Sequence, residues 1–458
     1  MGPSLTNLLK DSESLKTGMR GEVLLPGEEG YDMARSIFNA MIDHRPALIA
    51  RCADATDVAL AVKYAHAHQL TVSVLGGGHG VSGLAVCDGG LMIDLSRMKE
   101  TTVDPDRQIA RAQGGATWGD FDHATQPFGL ATTGGLVRST GIAGLTLSGG
   151  YGFLMRKHGL SCDNLLSAEV VTADGRSLTA SADQNPDLLW GLRGGGGNFG
   201  IVTSMEFRLH PVGTVYGGLV VFPIDQAKNL IRYYDDFVAV APDELGPLLV
   251  LGTLPDGTKA VILLVCYAGS ASDGARCLEP LLNKCGTPLM NQLAEMPYEA
   301  VQSIVENFNP RGKRNYWKST YLSGVTEEAA DVMLQRFLAA PSPFSHVVLY
   351  TLGGAMAHIG EQSTAVENRS AHHVMLLVGM WDASDDDDKN KAWVRQLFTA
   401  MKPHSCDGVY GNFDYDSGLE RVGLPRGAAT FERLQALKDK YDPTNFFRLN
   451  QNIRPSQT

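Results

Sequence analysis

Two short stretches carry residue types that could do chemistry beside a bound cofactor. Gly76-Gly77-Gly78-His79-Gly80-Val81-Ser82 sets a histidine in a glycine loop at the end of a strand-like run, TVSVLGGG. His158-Gly159-Leu160-Ser161-Cys162-Asp163-Asn164 sets a cysteine just after a long run of small residues, Gly141 to Gly152. Thr132-Thr133-Gly134-Gly135 precedes that run, and Arg448-Leu449-Asn450-Gln451-Asn452 supplies side-chain amides near the C-terminus. Glycine lets the backbone approach a partner closely or turn with positive φ. A row of bare backbone N–H groups can cradle a diphosphate, as nests and helix termini do. A large cofactor lying along these loops is the chemistry they suggest. Taken singly, such a histidine is more often structural, and such a cysteine a small buried hydrophobe.

Other chemistries fit less well. Gly78-His79-Gly80-Val81-Ser82-Gly83 and Gly195-Gly196-Gly197-Asn198-Phe199-Gly200 both match GxGxxG. A dinucleotide fingerprint needs a helix directly after it, to receive the pyrophosphate. The segments that follow, LAVCDGGLMIDLS and IVTSMEFRL, read as extended. No GxxxxGK[ST] loop, HExxH pair, CxxC pair or GxSxG elbow is present. His372 and His373 are adjacent on a predicted strand and so point to opposite faces.

These residues need elements to hold them. A chain of 458 residues exceeds what one hydrophobic core usually serves, so two domains are expected. The net charge of −11 argues against nucleic acid and against an anionic membrane surface as partner. No apolar run reaches the length of a membrane span, and the N-terminal residues lack the pattern of a signal peptide. Seven cysteines without a CxxC pair fit reduced thiols in a cytoplasmic protein. Residues 54–70 read as a helix capped by Asp54 or Thr56, with Val58, Ala61, Val62 and Ala65 on one face. Strands are expected at 91–96, 109–115 and 168–175, the last closed by a hairpin turn. Beyond residue 214 the texture changes to strands at 217–224, 247–254, 259–269, 344–354 and 372–382, with covering helices. The run Asp385–Asp388 reads as a solvated loop. Phe431, Leu434, Leu437 and Tyr441 form one face of a final helix that Pro443 ends.

The motifs together resemble the berberine-bridge-enzyme-like branch of the FAD-linked oxidases, in the vanillyl-alcohol-oxidase superfamily. The resemblance rests on RPALIARCADATDVALAVKYA, SVLGGGHGVSG, TTGGLVRSTGIAGLTLSGGYGFLMRKHGLSCDNLL, LLWGLRGGGGNFGIVTSMEFRLHPV and LKDKYDPTNFFRLNQNI, in that order along nearly the whole chain. It implies an α+β fold. A PCMH-type FAD-binding domain (1–213) is split around an inserted substrate domain with an antiparallel sheet covered by helices (214–404), and a returning segment (405–458) completes it. The pocket is expected between that sheet and the flavin, since ligand sites favour domain interfaces.

The resemblance also implies roles. His79 matches the histidine bonded to the flavin 8α-methyl carbon, and Cys162 the cysteine bonded to ring carbon C6 in the doubly tethered subgroup. Gly76, Gly77, Gly78, Gly80 and Ser82 are expected along the diphosphate. Thr133, Gly134, Gly141, Gly144 and Leu145 are expected along the other edge of the flavin, and Gly200 and Val202 near the adenine. Tyr410, Asn412, Asn450 and Asn452 are expected to close over the ring. Ile142 aligns near flavin C4a, at a position associated with oxygen access, which favours an oxidase. The implied reaction is hydride transfer from a C–H of a small alcohol, sugar, amine or secondary metabolite to flavin N5, with reoxidation by O2 to H2O2. A dehydrogenase or oxidative cyclase with another acceptor, and a flavin carrier without turnover, are the alternatives. The chain departs from many members at Asn412-Phe413, where they carry Asn-Tyr with the tyrosine as base. Tyr415, Tyr316, Tyr321, Tyr350 and His358 are the substitute base candidates, Tyr415 on the premise that 409–415 is extended. An amine substrate needs no base, because its neutral form can lose hydride directly.

Overall fold

The computed structural model describes residues 5–418 and 427–457. Its first sheet takes the strands Leu48–Arg51, Leu91–Asp94 and Val72–Leu75, side by side and parallel, with Glu22–Leu24 antiparallel at one edge. Nearly all of these residues are buried, which is why their sequences are continuous apolar runs rather than alternating ones. The helix Ala55–Ala67 covers this sheet. Asp54 caps it, its side chain accepting from the N–H groups of Thr56 and Asp57. Val58, Ala61, Val62 and Ala65 pack into the same core as Leu48, Val72, Leu91 and Ile93.

A second sheet of five antiparallel strands runs in the order Thr101–Asp104, Ile109–Gln113, Ile201–Arg208, Leu165–Val171, Ser177–Ser181. The expected hairpin is present: Thr172 N–H donates to the Arg176 carbonyl across a turn in which Gly175 takes φ +74°. No helix follows either GxGxxG. Gly83 leads through turns to the strand Leu91–Asp94, and Gly200 runs directly into Ile201–Arg208. The dinucleotide fingerprint is therefore excluded on geometry.

A third, antiparallel sheet is centred on Thr214–Pro223, Lys259–Tyr267, Leu245–Thr253, His346–Thr351, His373–Trp381 and Arg314–Leu322, in that spatial order, with Met290–Asn291 and Ala294–Pro297 added at its Thr214–Pro223 edge. Alternate residues face opposite ways. Leu249, Leu263, Tyr316, Leu349, Met375 and Leu377 pack under the helices Ala227–Val240, Glu327–Leu338 and Asp387–Met401. Leu248, Ile262, Leu264, Trp317, Val348 and Leu376 face the other way, into a core shared with Phe38, Val81, Ala131 and Phe153 of the first two layers.

Asp385–Asp388 is helical rather than a loop, although Asp385 and Asp388 are solvent-exposed as expected. Asp387 opens the helix Asp387–Met401 and accepts from Arg314 Nε (2.6 Å) and Nη2 (2.7 Å) and from Trp381 Nε1 (2.9 Å). The helix Ala428–Tyr441 leads into the C-terminal tail. Leu434, Leu437 and Tyr441 share a core with Leu188, Leu189 and Leu192 of the helix Pro186–Leu192.

Candidate active site

The glycine loops meet at a crease. A Cβ on Gly77 would collide with the backbone of Gly141, and one on Gly141 with the backbone of Gly77, so the two loops touch main chain to main chain. By contrast, a Cβ on Gly80, Gly144 or Gly197 would meet no atom within 4 Å. These three positions present open backbone. Among the described residues, the N–H groups of Gly77, Gly78, His79 and Gly80 donate to no carbonyl. Gly76 lies against the carbonyl of Gly114, which in turn abuts Val202. Ser82 follows on the same loop, partly exposed.

Several buried polar atoms beside the crease have no hydrogen-bond partner among the described residues: His79 Nε2, Thr132 Oγ1, Thr146 Oγ1, Asn450 Oδ1 and Asn452 Oδ1. Buried polar groups are nearly always paired in folded proteins. This set, with the open glycines and bare N–H row, fits a polar, elongated cofactor.

The C-terminal tail is pinned over the Gly195–Asn198 loop. Asn198 Nδ2 donates to the carbonyls of Gly195 (2.8 Å) and Gln451 (3.2 Å), and Ile453 N–H donates to Asn198 Oδ1 (2.9 Å). Asn450 Nδ2 reaches the carbonyl of Gly197 (3.2 Å). Beneath them the buried Lys438 ammonium donates to the carbonyls of Asn198 and Phe447 and to Asp442. Gly200 lies behind this loop, hard against Val170 and Val171.

His79 is partly exposed, and its ring stacks on Phe38 with centroids 4.0 Å apart. Burial of its ring nitrogens pulls its pKa down to about 4, with Arg311 adding to the effect. The imidazole is therefore neutral near pH 7, the form in which it is a nucleophile. Cys162 is fully buried. Its loop is knitted to the glycine run: Cys162 N–H donates to Gly149 O, Ser161 N–H to Gly150 O, Ser161 Oγ to Thr133 O (2.7 Å) and Thr133 Oγ1 to Gly159 O (2.6 Å). Burial, then Asp163, pushes the thiol pKa well up, against the pull of Arg369 and Arg193. Gly134 is wedged against Trp118 at the back of this knot.

A run of aromatic rings connects the two loops. Phe38 contacts Trp317 (5.9 Å), Trp317 contacts Phe413 (6.4 Å), Phe413 contacts Tyr410 (4.8 Å) and Tyr410 stacks on Tyr151 (4.1 Å). Tyr151 and Tyr410 share a cluster with Cys162. Tyr410 OH accepts from Gly150 N–H (2.9 Å) and from Asn412 Nδ2 (3.0 Å), and Asn412 also reaches the Leu145 carbonyl (3.4 Å). The hydroxyls of Tyr151 and Tyr321 lie 2.9 Å apart, and Tyr350 packs on Phe413 at 5.2 Å.

The expected base candidates therefore divide. Tyr321 and Tyr350 stand on the crease side of the large sheet. Tyr316 is on the other face: its hydroxyl donates to Asp416 (2.7 Å) and accepts from Arg395 (3.0 Å) under the helices. Residues 409–415 are not extended. Short 3-10 turns at Gly411–Phe413 and Tyr415–Gly418 swing Tyr415 onto Tyr316, 5.0 Å away. His358 is not on a strand. It ends the short helix Ala355–His358 and is exposed. Ile142 opens the short helix Ile142–Leu147 behind Gly141 and packs in the core of Trp118. Phe38, Tyr151, Trp317, Asp163 and Arg369 were not expected at the site. Tyr151 had a signal, since it interrupts the glycine run as Gly150-Tyr151-Gly152, and Asp163 is the chain neighbour of Cys162; Phe38, Trp317 and Arg369 are brought in by distant segments.

The FAD binding domain family matches residues 46–181, and the berberine and berberine-like family matches residues 427–454. (R)-6-hydroxynicotine oxidase of Paenarthrobacter nicotinovorans is 31% identical over 449 residues, covering 95% of this chain and 97% of that protein. The FAD-linked oxidoreductase hasG of Aspergillus fumigatus is 36% identical over 445 residues, covering 92% and 94%. Among solved structures, 6-hydroxy-D-nicotine oxidase from Arthrobacter nicotinovorans superposes with a TM-score of 0.88 at 28% identity, covering 96% of this chain and 98% of that one. Chitooligosaccharide oxidase shares the fold, with a TM-score of 0.83 at 22% identity over 97% and 99% of the two chains. Family matches at both ends of the chain, full-length relatives and a cofactor-shaped crease agree: this chain belongs to the berberine-bridge-enzyme-like family of FAD-linked oxidoreductases.

Proposed function

We propose that the chain is an oxidase whose flavin is tethered through His79 and Cys162, and that its substrate is a small amine carrying an aromatic ring. The observation that carries this reading is the unbroken path of ring contacts from His79 to the Cys162 cluster. It links the two loops that would both have to reach the benzenoid ring of the flavin, which carries the 8α-methyl group and C6. Gly76, Gly77, Gly78, Gly80 and Ser82 would hold the diphosphate, and Thr133, Gly134, Gly141, Gly144 and Leu145 the far edge of the ring. Gly200 and Val202 would back the adenine, with Asn412, Asn450 and Asn452 offering amides to the cofactor. When bound, the flavin accepts a hydride from a substrate carbon and passes two electrons to an acceptor, here proposed to be O2.

The wall supports this substrate class. Its side chains are Trp317, Tyr321, Tyr350, Phe413 and Tyr151, with Leu219 and Val250 partly exposed on the same sheet face. Rings and aliphatic carbon favour a flat apolar molecule over a polyhydroxylated sugar, whose hydroxyls would lose water without new partners. Burial raises the pKa of Tyr151, of Tyr350 and of Tyr410, so these phenols stay protonated and position rather than deprotonate. Phe413 adds no base. The remaining phenol on the wall, Tyr321, is engaged with the Tyr151 hydroxyl, and the proposed substrate is one that loses hydride without a protein base, as a neutral amine can. The full-length likeness to a hydroxynicotine oxidase supports the same class.

The test is anaerobic mixing of the yellow protein with two panels, ring-bearing secondary and tertiary amines and mono- and oligosaccharides, followed at the flavin absorbance. Bleaching by amines, with H2O2 formed on admitting air, is the expected result. Bleaching by sugars alone would overturn the substrate class, and bleaching by amines without O2 uptake would overturn the acceptor.

A further inference from the structure

The hydrogen bonds of the aromatic wall leave one hydroxyl over. Tyr151 and Tyr321 bond to each other. Tyr410 OH accepts from Gly150 N–H and from Asn412 Nδ2, which also reaches the Leu145 carbonyl. Trp317 Nε1 donates to Asn315 Oδ1 (3.0 Å). Ser319 shares the face of Trp317 and Tyr321 on their strand; its Oγ donates to the Tyr410 carbonyl (3.3 Å) and accepts from Tyr410 N–H (3.1 Å). The side chains of Phe38 and Phe413 have no polar atom. Of these rings' polar atoms, only the Tyr350 hydroxyl has no hydrogen-bond partner among the described residues. Tyr350 is also partly exposed, whereas Trp317, Tyr151, Tyr321 and Tyr410 are buried.

The sheet explains why this phenol is left alone. Tyr350 stands on the strand His346–Thr351 in the middle of the large sheet, opposite Leu248 on one neighbouring strand and Val374 on the other. Its ring packs on Phe413 at 5.2 Å and lies 6.5 Å from Tyr151. These neighbours are hydrocarbon or already hydrogen-bonded. The O–H therefore stays protonated and remains a donor. A flat molecule settling against Phe413 would strip water from this hydroxyl. The donor must then find an acceptor on that molecule or stay unpaired at a cost.

Resting on the reading of the substrate as a ring-bearing amine, we infer that Tyr350 is the residue that selects the ring: its hydroxyl donates to an acceptor atom within it. The substrate is then a heteroaromatic amine rather than a plain phenyl one. A site built to hydrogen-bond a ligand atom discriminates against the analogue lacking it, because its own polar group is left unpaired. Tyr350 takes no proton in this reading. It fixes which way round the ring lies, and so acts on binding and not on the hydride step.

The probes are N-methylbenzylamine and the 2-, 3- and 4-pyridyl versions of the same amine, in which a ring nitrogen replaces one C–H without added bulk. Each is mixed without air with the flavin-loaded protein, above the pKa of pyridine. The half-saturating concentration and the limiting rate of bleaching are read at the flavin absorbance. The wild type should be half-saturated by at least one pyridyl isomer at about fivefold lower concentration than by the benzyl amine, the worth of one hydrogen bond. In Tyr350→Phe that preference should vanish while the limiting rate changes less than about twofold, as expected when only binding is lost. Because the hydroxyl pairs with no protein group, its removal should leave the unfolding midpoint unchanged. Equal half-saturation by all four amines in the wild type, or a pyridyl preference that survives in Tyr350→Phe, overturns the inference and leaves the amine reading intact. Weaker binding of benzyl and pyridyl amines alike in the variant would mark a packing role and overturns it too. Wild-type flavin bleached by none of the four amines sinks the amine reading itself.

Discussion

Asp122 offers the sharpest test of the packing between the flavin-side layers and the large sheet. It lies fully buried in the helix Trp118–Thr125, with Oδ2 accepting from Gln302 Nε2 (3.3 Å) on the helix Tyr298–Gln302 and Oδ1 without a partner among the described residues. Burial pushes its pKa from the ordinary 3.8 up to about 7; Glu299 adds to the rise, while Gln302 and Arg138 oppose it. With the folded pKa above the unfolded one, the folded state holds the extra proton between those values. Stability is therefore greatest below about pH 4 and is lost as the pH rises through 7. Each pH unit in that window is about 1.4 kcal/mol, so the step from about pH 5 to pH 8 costs roughly 3 kcal/mol. Asp122→Asn keeps the acceptor for Gln302 and cannot ionise. Urea unfolding, followed through the five tryptophans, should find the variant gaining on the wild type by that amount between the two pH values. A difference that stays constant with pH would show that Asp122 ionises normally, and would refute the dry, unpaired environment described for it.

Other substitutions test the site piece by piece. Gly77→Ala drives a methyl into the Gly141 backbone and should cut flavin retained per protein, read from the absorbance ratio of the purified material. Lys438→Met strands the buried Asp442 carboxylate beneath the C-terminal tail; loss of one partner of a buried pair costs about 3–5 kcal/mol, so the unfolding midpoint should fall by several degrees. Tyr321→Phe removes the hydroxyl facing Tyr151. If no tyrosine acts as base, turnover of an amine should fall less than about tenfold with an unchanged pH profile, whereas loss of a general base costs about 100-fold or more.

The sequence made local features legible and left long-range ones hidden. Asp54 before a run with apolar residues at helical spacing is a capped helix wherever it lies, and the glycine loops around His79 and Cys162 declare themselves because only close backbone approach rewards so many glycines. Tyr316 and Tyr321 could not be separated in the same way. Both faces of the strand Arg314–Leu322 are buried, so its pattern gives no sign of which face meets the crease. Asp387 looked solvated because its partner Arg314 lies 73 residues away. Phe38 and Arg369 reach His79 and Asp163 from segments with no motif of their own, and only the assembled layers reveal them.

The central claim is that one flavin joins two loops far apart in sequence. It is tested most directly by precipitating the protein with acid, digesting the washed yellow pellet with trypsin and weighing the flavin-containing fragment. The account predicts a single species in which one flavin links the His79 peptide to the Cys162 peptide. Flavin released entirely into the supernatant, or found on neither peptide, would contradict it.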